Sequence, residues 1–180
     1  MKNQLLRYCI IAACLLLLIA GSASAGSGLQ VAPDDTTVVA GTTFQIRIAV
    51  DASITSLMGY EVTVAFDSSI VELVSVDEGP LPGSGGATTF FHWFGAGVVS
   101  DTVYVNGAVL GTTVDGPGVL FTIEFKAKRE GTTPVSFIST ELRDNFNVVI
   151  SHDTTDGRIV VEKTIPVRSV TWGGIKLRYR

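Results

Sequence analysis

From Tyr60 to Phe66 the chain alternates without a break, with Tyr60, Val62, Val64 and Phe66 on one side and Glu61, Thr63 and Ala65 on the other. A period of two is what extended backbone imposes, because successive side chains point to opposite faces of a sheet. An α-helix would scatter the same four apolar side chains around its circumference, so this stretch buries them only as a half-buried strand. Asp67-Ser68-Ser69 interrupts the pattern with three turn formers, and Ile70, Val71, Leu73, Val74 and Val76 resume it at once. The segment 57–76 is therefore expected to be a hairpin, two strands and the turn between them.

The same grammar continues on both sides. Leu29–Val31 and Thr36–Val39 are short extended runs around Pro33-Asp34-Asp35, and Thr43–Val50 alternates with Phe44, Ile46, Ile48 and Val50 on one face. Asp77–Ala87 holds Gly79-Pro80, Pro82-Gly83 and Gly85-Gly86, a density of breakers that leaves only a loop. Ala87–Phe94 and Val98–Asn106 read as two strands joined by Gly95-Ala96-Gly97. Val119–Lys128 follows the loop 111–118, and Pro134–Ser139, Val148–Ser151 and Gly157–Val161 close the series. No helix is expected beyond one irregular turn over Thr140–Phe146. About nine short strands at 8- to 12-residue spacing, with no helical crossovers, predict an all-β antiparallel sandwich or jelly roll.

The two ends of the 180-residue chain differ from this body. Lys2 and Arg7, an apolar block over 10–20 and Ser22-Ala23-Ser24-Ala25 have the layout of a secretory signal peptide over 1–25. A retained anchor and a lipoprotein-type site at Cys14 are the alternatives. Both cysteines, Cys9 and Cys14, lie in this leader, so a chain cleaved after Ala25 has no disulfide framework, thiol nucleophile or cysteine metal site. Residues 26–163 form the expected domain and carry 7 basic against 17 acidic residues, a net of −10 that repels nucleic acid. Residues 164–180 reverse the sign, with 4 basic residues and no acidic one. Alternation of Ile175, Leu177 and Tyr179 with Lys176, Arg178 and Arg180 marks this tail as a sorting or attachment segment, or a contact for an anionic envelope surface.

Chemistry-bearing motifs are few. His92 and His152 are far apart in sequence, and no Gly-x-Ser-x-Gly, His-Glu-x-x-His or phosphate-loop pattern occurs, so a non-catalytic protein without a cofactor is expected. Asp153-Thr154-Thr155-Asp156-Gly157 places oxygens at alternate positions, which makes Asp153 and Asp156 weak calcium candidates, with Asp144 and Asn145 next. A tight turn explains the same residues through backbone preference alone. Phe90-Phe91-His92-Trp93-Phe94 is the densest aromatic cluster. Its rings are either core or a platform for sugars or a protein partner, with Trp93 kept as the surface ring.

In order and spacing, four segments resemble the cohesin family, the bacterial modules that bind dockerin domains in cellulosomes and other extracellular assemblies. They are Val39-Ala40-Gly41 with Phe44–Val50, Gly59–Leu73, Gly116–Ala127 with Gly131, and Asp156–Val161. The resemblance implies a nine-stranded jelly-roll sandwich, related in fold to carbohydrate-binding modules, with no activity of its own. It also implies a partner lying across one sheet face. Glu61 falls where cohesins carry an acidic contact residue, and Trp93 and Asn106 fall near other contact positions. By strand parity Glu61, Thr63, Tyr104 and Asn106 all point away from the core. The expected function is thus capture of a dockerin-type protein in an extracellular assembly linked to polysaccharide degradation. The alternatives are a carbohydrate-binding module and an envelope-attached structural or adhesion protein.

Overall fold

A computed structural model describes residues 28–95 and 101–163; the expected leader 1–25, the tail 164–180 and the start of the Val98–Asn106 strand lie outside the described residues. Eleven strands follow in order: β1 (Leu29–Ala32), β2 (Asp35–Val39), β3 (Thr43–Val50), β4 (Leu57–Ala65), β5 (Val71–Glu78), β6 (Thr88–Gly95), β7 (Thr102–Leu110), β8 (Gly118–Ala127), β9 (Gly131–Asp144), β10 (Thr154–Thr155) and β11 (Gly157–Glu162). They build a sandwich of a five-stranded sheet, β10-β1-β3-β8-β5, and a six-stranded sheet, β2-β11-β9-β4-β7-β6. A 3-10 turn at Ser84–Gly86 is the one helical element among the described residues.

The all-β sandwich agrees with the sequence, with eleven strands in place of about nine. The two runs that flank Pro33 fall in different sheets, β1 in the smaller and β2 in the larger, and Pro33 itself has no N–H to offer a ladder. The two-residue β10 is a strand the sequence does not announce. Two pairings, β1 with β10 and β2 with β11, are parallel, so the sandwich is not antiparallel throughout. Val148–Ser151 is not a strand. The Asp144 carboxylate takes the N–H groups of Phe146 and Val148 at 2.8 and 2.9 Å, closing a turn that folds this segment back on the end of β9. In turn, β9 runs through Thr140–Asp144, where an irregular turn was expected.

The segment 57–76 is not a hairpin either. β4 pairs with β7 and β9, whereas β5 pairs with β8 in the opposite sheet. Both strands have an apolar face, and an arch from sheet to sheet lets the two faces meet across the core instead of lying side by side. The turn is tightly bonded. The Asp67 N–H donates to the buried Thr133 hydroxyl at 2.8 Å, and the Asp67 carboxylate accepts from Ser69 N–H at 2.8 Å. Ser68 N–H donates to the Asp101 carboxylate at 3.0 Å.

Between the sheets, Val62, Val64, Val103 and Val105 of the larger sheet face Ile46, Ile48, Phe121, Ile123 and Phe125 of the smaller one, all buried in one cluster. Phe66 meets Phe125 edge-on with centroids 4.9 Å apart, and Tyr60 stacks on Phe121 at 6.3 Å. Each such side chain contributes about 1.5–3 kcal/mol on burial, which suits a body without cysteine. The Tyr60 ring also lies over Gly107, where any Cβ would collide with it.

Candidate functional site

The register of β6, β7, β4 and β9 arranges the outer face of the larger sheet in three rows. Phe90, Ala108, Gly59 and Arg143 form the first row, His92, Asn106, Glu61 and Glu141 the second, and Phe94, Tyr104, Thr63 and Ser139 the third. The alternation that buries Tyr60, Val62 and Val64 puts Glu61 and Thr63 outside, and β7 does the same for Tyr104 and Asn106. The structure therefore brings four of the five sequence-chosen residues, Glu61, Thr63, Tyr104 and Asn106, onto one surface.

Trp93 is the exception, and its choice as the surface ring is corrected. It pairs with Val105, shares the inward side of β6 with Phe91, and packs half-buried against the core. The physical reason is parity. With His92 opposite Asn106, the even-numbered residues of β6 face solvent, so the exposed rings are Phe90 and Phe94, at 52% and 59%. Phe94 touches His92 edge-on at 4.3 Å and Tyr104 in a tilted contact at 5.9 Å.

Electrostatically, the middle of this face is acidic and partly compensated. Glu61 and Glu141 stand directly opposite each other, and Arg143 turns along its own strand to pair with Glu141 while donating to Asn147 O at 2.8 Å. The Asn106 side-chain oxygen is buried without a hydrogen-bond partner, which is costly unless a ligand or water supplies a donor. Around it lies a depression of about 270 Å³, lined by Gly59, Glu61, Phe90, Ala108, Glu141 and Arg143 among others. Gly59, Ala108, Glu141 and Arg143 escaped the sequence reading, and Phe90 and Phe94 entered it only as members of the aromatic cluster. For the two rings, parity counted from Asn106 across the β6–β7 register was the available signal.

Two of the calcium candidates, Asp156 and Asp144, bond the backbone with their carboxylates, and Asp153 does so with its main-chain carbonyl. Asp156 accepts from Phe137 N–H at 3.0 Å, the Asp153 carbonyl accepts from Leu29 N–H at 3.1 Å, and Asp144 closes the turn at 145–148. Among the described residues no group of three or more His, Cys, Asp or Glu is placed to hold a metal ion. His152 lies away from the face, between Ile150 O at 2.8 Å and the Thr140 hydroxyl at 3.0 Å.

The cohesin domain family profile matches residues 29–161, the whole sandwich apart from its last strand residue. The chain belongs to the cohesin family. Solved structures agree on the fold. A non-cellulosomal cohesin from the archaeon Archaeoglobus fulgidus superposes with a TM-score of 0.63 at 14% identity, over 74% of this chain and 89% of that one. A type I cohesin–dockerin complex from Clostridium thermocellum gives 0.60 at 12% identity, over 74% and 97%. The sixth cohesin of scaffoldin B from Acetivibrio cellulolyticus, solved with a dockerin, gives 0.61 at 16% identity, over 76% and 99%. A comparison with curated protein sequences yields no match.

Proposed function

We propose that this cohesin is a non-catalytic capture module that holds a dockerin-type protein on the outer face of β6, β7, β4 and β9. The observation that carries the reading is the combination on that face of exposed Phe90 and Phe94 with a buried, unpaired Asn106 oxygen. Rings exposed at this level cost the free protein solvation and are recovered only in a contact. The complexes from C. thermocellum and A. cellulolyticus contain dockerins, which supports the choice of partner class. Export by the leader 1–25 would place the module outside the cell, with the basic tail 164–180 as its attachment device and polysaccharide degradation as its context.

Isothermal titration of the protein with calcium-loaded dockerin modules tests this reading. Binding that Glu61→Ala combined with Tyr104→Ala leaves untouched rules out the face, and a panel of dockerins that all fail to bind rules out the partner class. The alternative of a sugar platform is less well supported, since Phe94 and Tyr104 are inclined by 31° and do not form a flat row. Retention on insoluble cellulose that depends on Phe94 would revive it.

A further inference from the structure

We infer that the depression over Gly59 and Ala108 is a socket for one basic side chain, lysine or arginine, of the bound partner; this rests on the capture reading and adds the chemistry of one contact. Gly59 and Ala108 face each other across β4 and β7, and their small size leaves the opening between Phe90 on one flank and Arg143 on the other. At about 270 Å³ the space is below the usual range for a small-molecule site, and it suits a single long side chain.

Its walls define that side chain. The floor and the Phe90 flank are apolar, so they gain from a methylene stem, and the exposed ring can take a cation against its face. The far end offers two unengaged acceptors. The Asn106 side-chain oxygen is buried and unpaired, and the Glu61 carboxylate has no hydrogen-bond or ion-pair partner among the described residues. Arg143, the cation lining the socket, is already held by Glu141 and by Asn147 O. Glu61 and Glu141 against Arg143 leave one uncompensated negative charge, which one monovalent cation matches. A hydroxyl side chain would satisfy the Asn106 oxygen but leave both the Phe90 flank and the Glu61 charge unanswered.

The test uses the full chain, isotopically labelled, titrated with Nα-acetyl-lysine methylamide and, in parallel, with its uncharged isostere Nα-acetyl-norleucine methylamide. The expected result is saturable shifts of the Gly59 and Ala108 amides and of the Asn106 side-chain amide with the lysine probe alone. Glu61→Gln should weaken this at least threefold, and Ala108→Leu should abolish it with the rest of the spectrum unchanged. Equal shifts with norleucine, or no saturable shift with either probe, overturn the inference. A dockerin that binds wild type and Ala108→Leu equally well overturns the socket and leaves the capture reading standing. Saturable lysine binding beside failure of every dockerin does the reverse.

Discussion

The two sheets of this sandwich turn different surfaces to solvent. On the smaller sheet Glu72 sits opposite Lys126, Ser75 opposite Glu124, and Arg47 and Asp77 flank Thr122. The Ser75 hydroxyl lies 3.1 Å from the Asp77 carboxylate and 3.3 Å from that of Glu124. This surface has no ring in its rows, charges of both signs are interspersed on it, and Val74 is its one large exposed apolar side chain among these strands. On the larger sheet the same scaffold carries exposed Phe90, Phe94 and His92, two carboxylates facing each other, and an amide oxygen with nothing to bond. Of the two sheets, the larger one carries the exposed rings and the unpaired amide, and this contrast supports the proposed choice of face.

The sharpest way to break this contrast is to strip rings from the larger sheet. Phe94→Ala with Tyr104→Ala should weaken dockerin binding about 100-fold in calorimetry, roughly 3 kcal/mol, with little change in melting temperature. Trp93→Ala, one residue away but on the inner side, should do the opposite. A half-buried ring removed from the core edge costs about 2 kcal/mol, which thermal unfolding reads as a Tm loss of roughly 4–8 °C, while binding by the folded fraction stays near wild type. If the two variants behave alike, the division into inner and outer faces of β6 is wrong.

Smaller effects come from titration. Hydrogen bonds from the Ser53 hydroxyl and N–H and from Gly28 N–H hold Asp51 below the usual carboxylate range, and the Ser69 and Ser68 donors do the same for Asp67 and Asp101. A depressed pKa contributes stability that is present above the unfolded value of about 4 and is lost as pH falls through the folded one. Melting temperature should therefore hold steady from neutral pH down to about 4–5 and fall below it. At the other extreme, burial pushes the Tyr60 phenol up, helped by the Glu78 carboxylate. The stability held there is present below the unfolded value of about 10 and is lost as pH rises beyond it, so Tyr60→Phe should make the protein more resistant to alkaline unfolding than wild type. Smallest of all, Gln45→Ala with Lys126→Ala on the smaller sheet should change stability by less than about 0.5 kcal/mol and binding not at all; a tenfold loss of binding would move the partner to the other sheet.

Much of the candidate face was legible before any coordinates, because parity is a local property. Glu61 and Thr63 lie outside for the same reason that Tyr60, Val62 and Val64 lie inside, and Tyr104 and Asn106 follow from Val103 and Val105. The choice of Trp93 went astray because parity alone separates Phe90, His92 and Phe94 from Phe91 and Trp93 without saying which set is inside, and the register with β7 decides for Trp93 and Phe91. Parity also says nothing about which distant segment of the chain supplies the neighbouring strand. Arg143 and Glu141 reach the face through β9, some 80 residues after Glu61 in the chain, and no spacing in the sequence announces that meeting.

The amino-acid sequence by itself determined an all-β sandwich with a cysteine-free body, the inward set of each strand and the cohesin segments, since alternation, turn formers and composition act within a few residues. Only the tertiary structure decided that 57–76 arches between sheets instead of folding into a hairpin, that Phe90 and Phe94 are the exposed rings, and that Gly59 and Ala108 open a hollow beside an unpaired Asn106. These depend on which strands pair and in what register. That choice is made by burial over the whole core, where a single-residue slip would turn every inward side chain out.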